Sequence, residues 1–211
     1  PGDPAVQQAV ERARVGDDDL LREHAAWVQM TEQTLGILVE HWLGLARLHG
    51  PRVGRAGGAE VAALLGPEWA NLEWAFREGR KCTPDVAIDA ATSLVRLVTF
   101  AGLGSDQMLL AAEPLAKDRG DIPWIARVLE GLGDMALARS EYGKAQLRYE
   151  AALPYYRQVG DKVGEANCTQ RLGDLELRRS NRDSARHYYE AALALYQLAG
   201  DSLGRANCIF G

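Results

Sequence analysis

Residues 160–199 repeat residues 120–159 without a gap, and sixteen of the forty positions are identical. A third copy opens at Gly200 as GDSLGRANCIFG and again carries the Gly-Asp and Ala-Asn-Cys of the second. A unit of this size cannot enclose a core alone. Each copy must bury its apolar face against its neighbours, which makes the chain a repeat solenoid.

Within each unit the apolar pattern is that of a helical hairpin. Val163, Ala166, Cys168, Leu172, Leu175 and Leu177 recur at helical spacing with charged residues between them, so Asp161 to Arg178 reads as an amphipathic helix. Ser180, Asn181 and Asp183 supply turn and N-cap chemistry. A second helix follows with Ala185, Tyr188, Tyr189, Ala192, Leu193 and Tyr196 at three- and four-residue steps. Gly200 reads as its C-cap and Asp201 as the N-cap of the next helix. Gly173 falls in mid-helix, where glycine costs roughly 1 kcal/mol relative to alanine. Its recurrence at Gly133 therefore marks a place too crowded for a Cβ, and Ala145, Ala152, Ala185 and Ala192 suit the same close approach on the second helices.

These residues resemble the tetratricopeptide (TPR) repeat family. Leu132-Gly133 and Leu172-Gly173 match its first-helix signature, while Ala145, Tyr149, Ala152 and Ala185, Tyr189, Ala192 match the small, aromatic, small pattern of its second helix. Leu129 and Thr169 replace the usual first-helix aromatic, and the proline that commonly ends the second helix is missing. The resemblance implies an all-α fold, a right-handed TPR-type superhelix of helical hairpins whose first helices line a concave face. The positions on those helices that the core pattern leaves free are Arg127, Glu130, Asp134, Asn167, Gln170, Arg171, Asp174, Arg178 and Asn207, the candidate surface for a protein or peptide partner. Asn167 and Asn207 would stack as a ladder, facing either a ligand or a neighbouring unit's backbone. The Lys-and-Asn clamp by which some TPR domains hold a chaperone's terminal carboxylate is disfavoured, because Asp134 and Asp174 stand where the asparagine would be.

Ahead of the repeats, Pro4 to Val15 reads as a short polar helix and Leu20 to His49 as a long one stopped by Gly50 and Pro51. Arg52 to Gly58 is a Gly-rich basic loop, Glu60 to Leu65 a short helix, and Pro67 is expected in the first turn of the next helix. Asp85 to Phe100 and Ser105 to Lys117 read as two further helices. The domain reading is a helical linker or cap over 1–79, a degenerate TPR-like pair over 80–119, and repeats over 120–159, 160–199 and 200–211. His24-Ala25-Ala26 and the helix carrying Glu68, Asn71, Leu72 and Trp74 are similar to the region between the nucleotide-binding part and the repeats of STAND signal-transduction ATPases, which include NB-ARC-type and NLR-like proteins. That resemblance implies a sensing or autoinhibitory arm of a larger signalling ATPase. The alternative is a free-standing TPR adaptor.

Other classes find little support. Gly50-Pro-Arg-Val-Gly-Arg55 lacks the spacing and the Lys-Ser/Thr end of a phosphate loop, and Gly102-Leu-Gly104 is no dinucleotide fingerprint. His24, His41, His49 and His187 fall at no metal-ligand spacing, so no enzyme, cofactor or metal is expected. Before Gly120 there are twelve basic against seventeen acidic residues, and from Gly120 twelve against twelve, which leaves no basic footprint for nucleic acid. No apolar run suits a membrane, and Cys168 and Cys208 at one repeat position read as buried thiols in a cytoplasmic setting. The third copy stops inside its first helix at Ile209-Phe210-Gly211, so an uncovered apolar face is expected to fray from Leu203 or to self-associate.

Overall fold

The computed structural model describes residues 32–55 and 57–210, with the backbone alone at 207, 209 and 210. The helix read over Pro4 to Val15, the start of the one read from Leu20, and Gly211 lie outside the described residues. The chain divides into two compact units, Pro1–His41 and Trp42–Gly211. In the first, residues 32–41 are helical. The second holds α1 (residues 42–49) and a 3-10 turn at Gly50–Arg52, followed by α2 (Gly58–Leu65), α3 (Trp69–Cys82), α4 (Pro84–Ser93) and α5 (Val95–Ala101). Next come α6 (Gln107–Arg119), α7 (Ile122–Ala138), α8 (Tyr142–Val159), α9 (Lys162–Arg178), α10 (Arg182–Ala199) and α11 (Ser202–Phe210).

The forty-residue period is punctuated by its Gly-Asp pairs. Gly160 takes the left-handed conformation at φ 73°, and the Asp161 amide donates back to the Tyr156 carbonyl at 3.0 Å, which closes α8 with a Schellman turn. The Asp161 carboxylate then accepts from the Gly164 amide at 2.9 Å and opens α9. Gly120-Asp121 and Gly200-Asp201 do the same at the other two junctions. Inside the hairpins the turn differs from its expectation. Ser140 and Ser180 hold left-handed backbone at φ 60° and 65°, and Asn181 caps no amide but donates from its side chain to Glu176 at 2.9 Å.

Helices α7 and α8 pair, α9 and α10 pair, and α8 against α9 joins the two hairpins. Ala145, Tyr149, Ala152 and Tyr156 of α8 are buried, as are Ala185, Ala192 and Tyr196 of α10. They meet the buried Leu129, Leu132 and Met135 of α7 and the Ala166, Cys168, Leu172 and Leu175 of α9. Each large side chain taken out of water there contributes about 2 kcal/mol, the main stabilising term for so regular a stack. Upstream, α3 packs on α4, α6 on α4 and α7, and α5 on α7.

Two local expectations are corrected. The helix read over Asp85 to Phe100 is two helices, broken at Leu94, whose φ and ψ are −85° and −4°. Gly50 approaches the Ser93 carbonyl so closely at this break that any Cβ there would collide with it. Apolar periodicity cannot register the break, because Ala90, Ala91, Leu94, Val95 and Leu97 are buried on both sides of it. Pro67 lies in a turn before α3 rather than within its first turn; Pro84 takes that helix-initiating place in α4 instead.

Gly133, Gly164 and Gly173 answer to tyrosine rings. A Cβ on Gly133 would sit 2.5 Å from the Tyr149 ring, and one on Gly164 would overlap the Tyr156 ring, whereas Gly143 has open space. Both rings are buried and cannot swing away. Gly133→Ala and Gly164→Ala are each expected to destabilise the chain by about 1–3 kcal/mol through overpacking. Gly143→Ala should stabilise it by up to about 1 kcal/mol. Urea denaturation of the three variants checks the contrast.

Candidate functional site

Arg127, Glu130 and Asp134 are three and four residues apart on α7, and Asn167, Gln170, Arg171, Asp174 and Arg178 follow the same rhythm on α9, so each set occupies one helix face. Three recesses lie along these faces, and Arg96 and Asp134 line all of them. The first, of about 210 Å³, adds Arg127, Glu130 and Thr92. The second, of about 290 Å³, adds Arg55, Glu130, Asn167, Gln170, Arg171 and Tyr196. The third, of about 270 Å³, reaches Phe100, Arg171 and Arg178. Asp174 stands beside them without lining any, and the side chain of Asn207 lies outside the described residues, so the expected asparagine ladder has only Asn167 to report.

Tyrosines of the second helices hold the polar floor in place. Tyr149 donates to Asp134 at 2.8 Å and Tyr189 to Asp174 at 2.7 Å. Tyr156 donates to Glu130, and the Tyr196 hydroxyl lies 2.7 Å from the Asn167 side-chain oxygen and 2.9 Å from that of Gln170. Asn167 thus meets a tyrosine hydroxyl of its own hairpin, not a neighbouring unit's backbone. Burial and these carboxylates push the Tyr149 and Tyr156 phenols well up, so both remain protonated donors. Arg171 bridges the repeats, 3.1 Å from Asp134 and 3.3 Å from Asp174. Asp134, then burial in the opposite sense, leaves its guanidinium above the ordinary value, so it stays charged.

Glu130 carries a shift of its own. Burial first and the neighbouring Asp134 second raise it to about 7, and the hydrogen bonds from Tyr156 and Asn167 only partly offset this. Arg127 and Arg178 are more exposed. Arg127 stacks over Trp124 at 4.7 Å and lies 3.7 Å from Asp89, and Arg178 lies 6.0 Å from the Tyr142 ring centre.

Arg55 and Arg96 were not among the residues that sequence reasoning brought to this face. Arg55 comes from the Gly-rich loop after the 3-10 turn, and Arg96 from α5. Its signal was a single cation in the otherwise apolar run VRLVTFA, which a continuous helix over Asp85 to Phe100 did not orient.

Residues 124–198, which fall within the span of α7 to α10, match the family model described as Tetratricopeptide repeat. The fold is a TPR-type superhelix. TPR repeats generally mediate contacts between proteins, or between a protein and a peptide. Among solved structures, the crystal structure of BtubC (BKLC) from P. vanneervenii is similar at 18% identity and a TM-score of 0.49, over 84% of this chain and 86% of that one. No curated protein matches the chain. Among the described residues, no helix is long and apolar enough to cross a membrane, and no group of three or more His, Cys, Asp or Glu side chains is placed to hold a metal ion.

The elevated Glu130 value has a sign that can be tested. Between pH 4.5 and 7 the folded chain keeps a proton that the unfolded chain releases, so this group's contribution is fully present below 4.5 and is lost as pH rises through 7. Above pH 7 the cost is at most on the order of 3 kcal/mol. Glu130→Gln, which keeps an acceptor for Tyr156, is expected to raise Tm at pH 8 by several degrees, since ~1 kcal/mol moves Tm by about 2–4 °C at this size. Near pH 4.5 it should leave Tm almost unchanged. Thermal unfolding followed by circular dichroism at both pH values reads the difference.

Proposed function

We propose that this chain is a protein-binding TPR scaffold that holds a protein or peptide segment against the faces of α7 and α9. The candidate contacts are Arg127, Glu130, Asp134, Asn167, Gln170, Arg171, Asp174, Arg178 and Asn207, joined now by Arg55 and Arg96. One observation carries the reading. Elsewhere on the surface the charged side chains tend to pair locally, as in Arg139 with Asp106 and Arg148 with Glu113, whereas Arg96 lines three adjoining recesses with no carboxylate within ion-pair distance among the described residues. Its guanidinium lies over the Phe100 ring, 5.9 Å from the centre, and a half-buried cation with a ring but no carboxylate beside it is stabilised by a ligand that supplies one. We read the role as binding, without chemistry of its own, in a reducing, cytoplasmic setting suited to the buried Cys168 thiol.

The finer reading is that this scaffold is the sensing or autoinhibitory arm of a STAND-type ATPase. Glu68, Asn71, Leu72 and Trp74 support it as a sequence resemblance, and within the fold Asn71 donates to Glu68 at 2.6 Å while Leu72 is buried. The alternative remains a free-standing TPR adaptor. An upstream phosphate loop in the same reading frame is expected for the first, and its absence from the complete frame would leave the adaptor.

Photo-crosslinking distinguishes the groove from the outer face. A benzoylphenylalanine at position 127 or 178 is expected to capture a discrete partner from lysate, and capture at 178 should be lost on Arg96→Glu. The same probe at the exposed Glu150 or Arg186 should not capture it. Capture at 150 or 186 with none at 127 and 178 would move the interface to the outer face.

A further inference from the structure

Arg55 and Arg96 line one recess of about 290 Å³, and each guanidinium lacks an ion pair among the described residues. They are close enough to repel: burial first and Arg55 second hold the Arg96 guanidinium below its ordinary value. Such an arrangement is unfavourable when the site is empty. It becomes favourable when an anion lies between the two cations. Neither residue belongs to the forty-residue repeats, so the pair is separate from any recognition built on repeat positions.

We propose that this recess is an anion site in which Arg55 and Arg96 receive a carboxylate from an acidic peptide laid along the groove. The proposal rests on reading the groove as the binding face. The choice of a singly charged carboxylate over a phosphate follows from the walls. Asp134 and Glu130 are within the same recess, and a dianion would meet both. A planar monoanion can face the guanidiniums with its oxygens while its hydrocarbon stem faces the carboxylates. The Asn167 and Gln170 amides are placed to exchange hydrogen bonds with the backbone of an extended peptide.

The geometry also couples binding to a proton. Glu130 faces Asp134 on its own helix, Tyr156 on α8, and Arg171 on α9, with Arg96 across the recess from α5. Asp201 lines the far wall, where it accepts from the Gly204 amide at 3.1 Å. Within this setting Glu130 is raised to about 7. Ionised, it offsets the charge of Arg96 and repels a bound carboxylate; protonated, it does neither. Anion affinity therefore falls as pH rises from 6 to 8, by about fivefold if the ligand moves the Glu130 value by one pH unit.

Fluorescence anisotropy on the full chain tests this with fluorescein-labelled hexaglutamate, and with hexaglutamine as the uncharged control. The chain's net charge of −5 works against adventitious attraction of a polyanion. We expect hexaglutamate to bind, hexaglutamine not to, and Arg55→Gln or Arg96→Gln to weaken binding tenfold or more. Glu130→Gln should bind with little pH dependence. Glutarate that displaces the peptide at equal carboxylate concentration would assign the same chemistry to a free small acid. Inorganic phosphate that displaces better than glutarate would overturn the carboxylate assignment. Because Arg55 is an exposed loop residue, its variant keeps the test valid if Arg96→Gln fails to fold. No hexaglutamate binding, or binding indifferent to Arg55→Gln, ends the proposal. Groove crosslinks at 127 or 178 could still stand in that case, whereas outer-face crosslinks alone would remove the groove reading itself.

Discussion

The rest of the solenoid depends on tyrosines that pack their rings and spend their hydroxyls at the same time. Tyr156 lies against Gly164 of the next unit and donates to Glu130 of its own. Tyr196 repeats the arrangement with Gly204 on one side and Asn167 and Gln170 on the other. A buried ring contributes about 2–3 kcal/mol by leaving water, and its hydroxyl would forfeit much of that if it were left unpaired. The glycines let the ring approach, and the polar groups of the first helices satisfy the hydroxyl. Units are thereby joined by contacts that tolerate neither a Cβ on one side nor a lost acceptor on the other.

This joint decides what the groove is made of. The acceptors that the tyrosines require are carboxylates and amides on the inner faces of α7 and α9, so the candidate binding surface is built from residues the fold already needs. Asp134 is held by Tyr149 and Arg171 together. Glu130 has a tyrosine and an amide but no arginine within ion-pair distance among the described residues, and burial makes it easier to protonate than an ordinary glutamate. Stability and the proposed recognition thus draw on the same side chains. Arg55 and Arg96, which satisfy no tyrosine, are the groove cations freest to serve a ligand.

Much of the hairpin architecture was legible in the chain because its signals are local. Gly160 and Asp161 terminate one helix and start the next through backbone and side-chain groups within five residues of each other. Gly133 and Gly173 announced crowding, although the crowding group is a tyrosine ring. The helix break was hidden because its deciding contact is distant in sequence. Leu94 breaks the helix at the close approach of Gly50, more than forty residues away, whereas Asn181 leaves its capping place for Glu176, only five residues back.

Period, caps and the small-aromatic-small pattern determined by themselves that this chain stacks helical hairpins and which face of each helix is buried. Helical periodicity is a property of one element, so it also determined which polar side chains of α7 and α9 share a face. Only the tertiary structure decided which of them a tyrosine engages, that Glu130 is left without an ion pair among the described residues, and that Arg55 and Arg96 enter the same recess. Those outcomes depend on the distance between groups carried by separate elements. Desolvation and Coulomb interactions act through space, and no spacing along the chain encodes them.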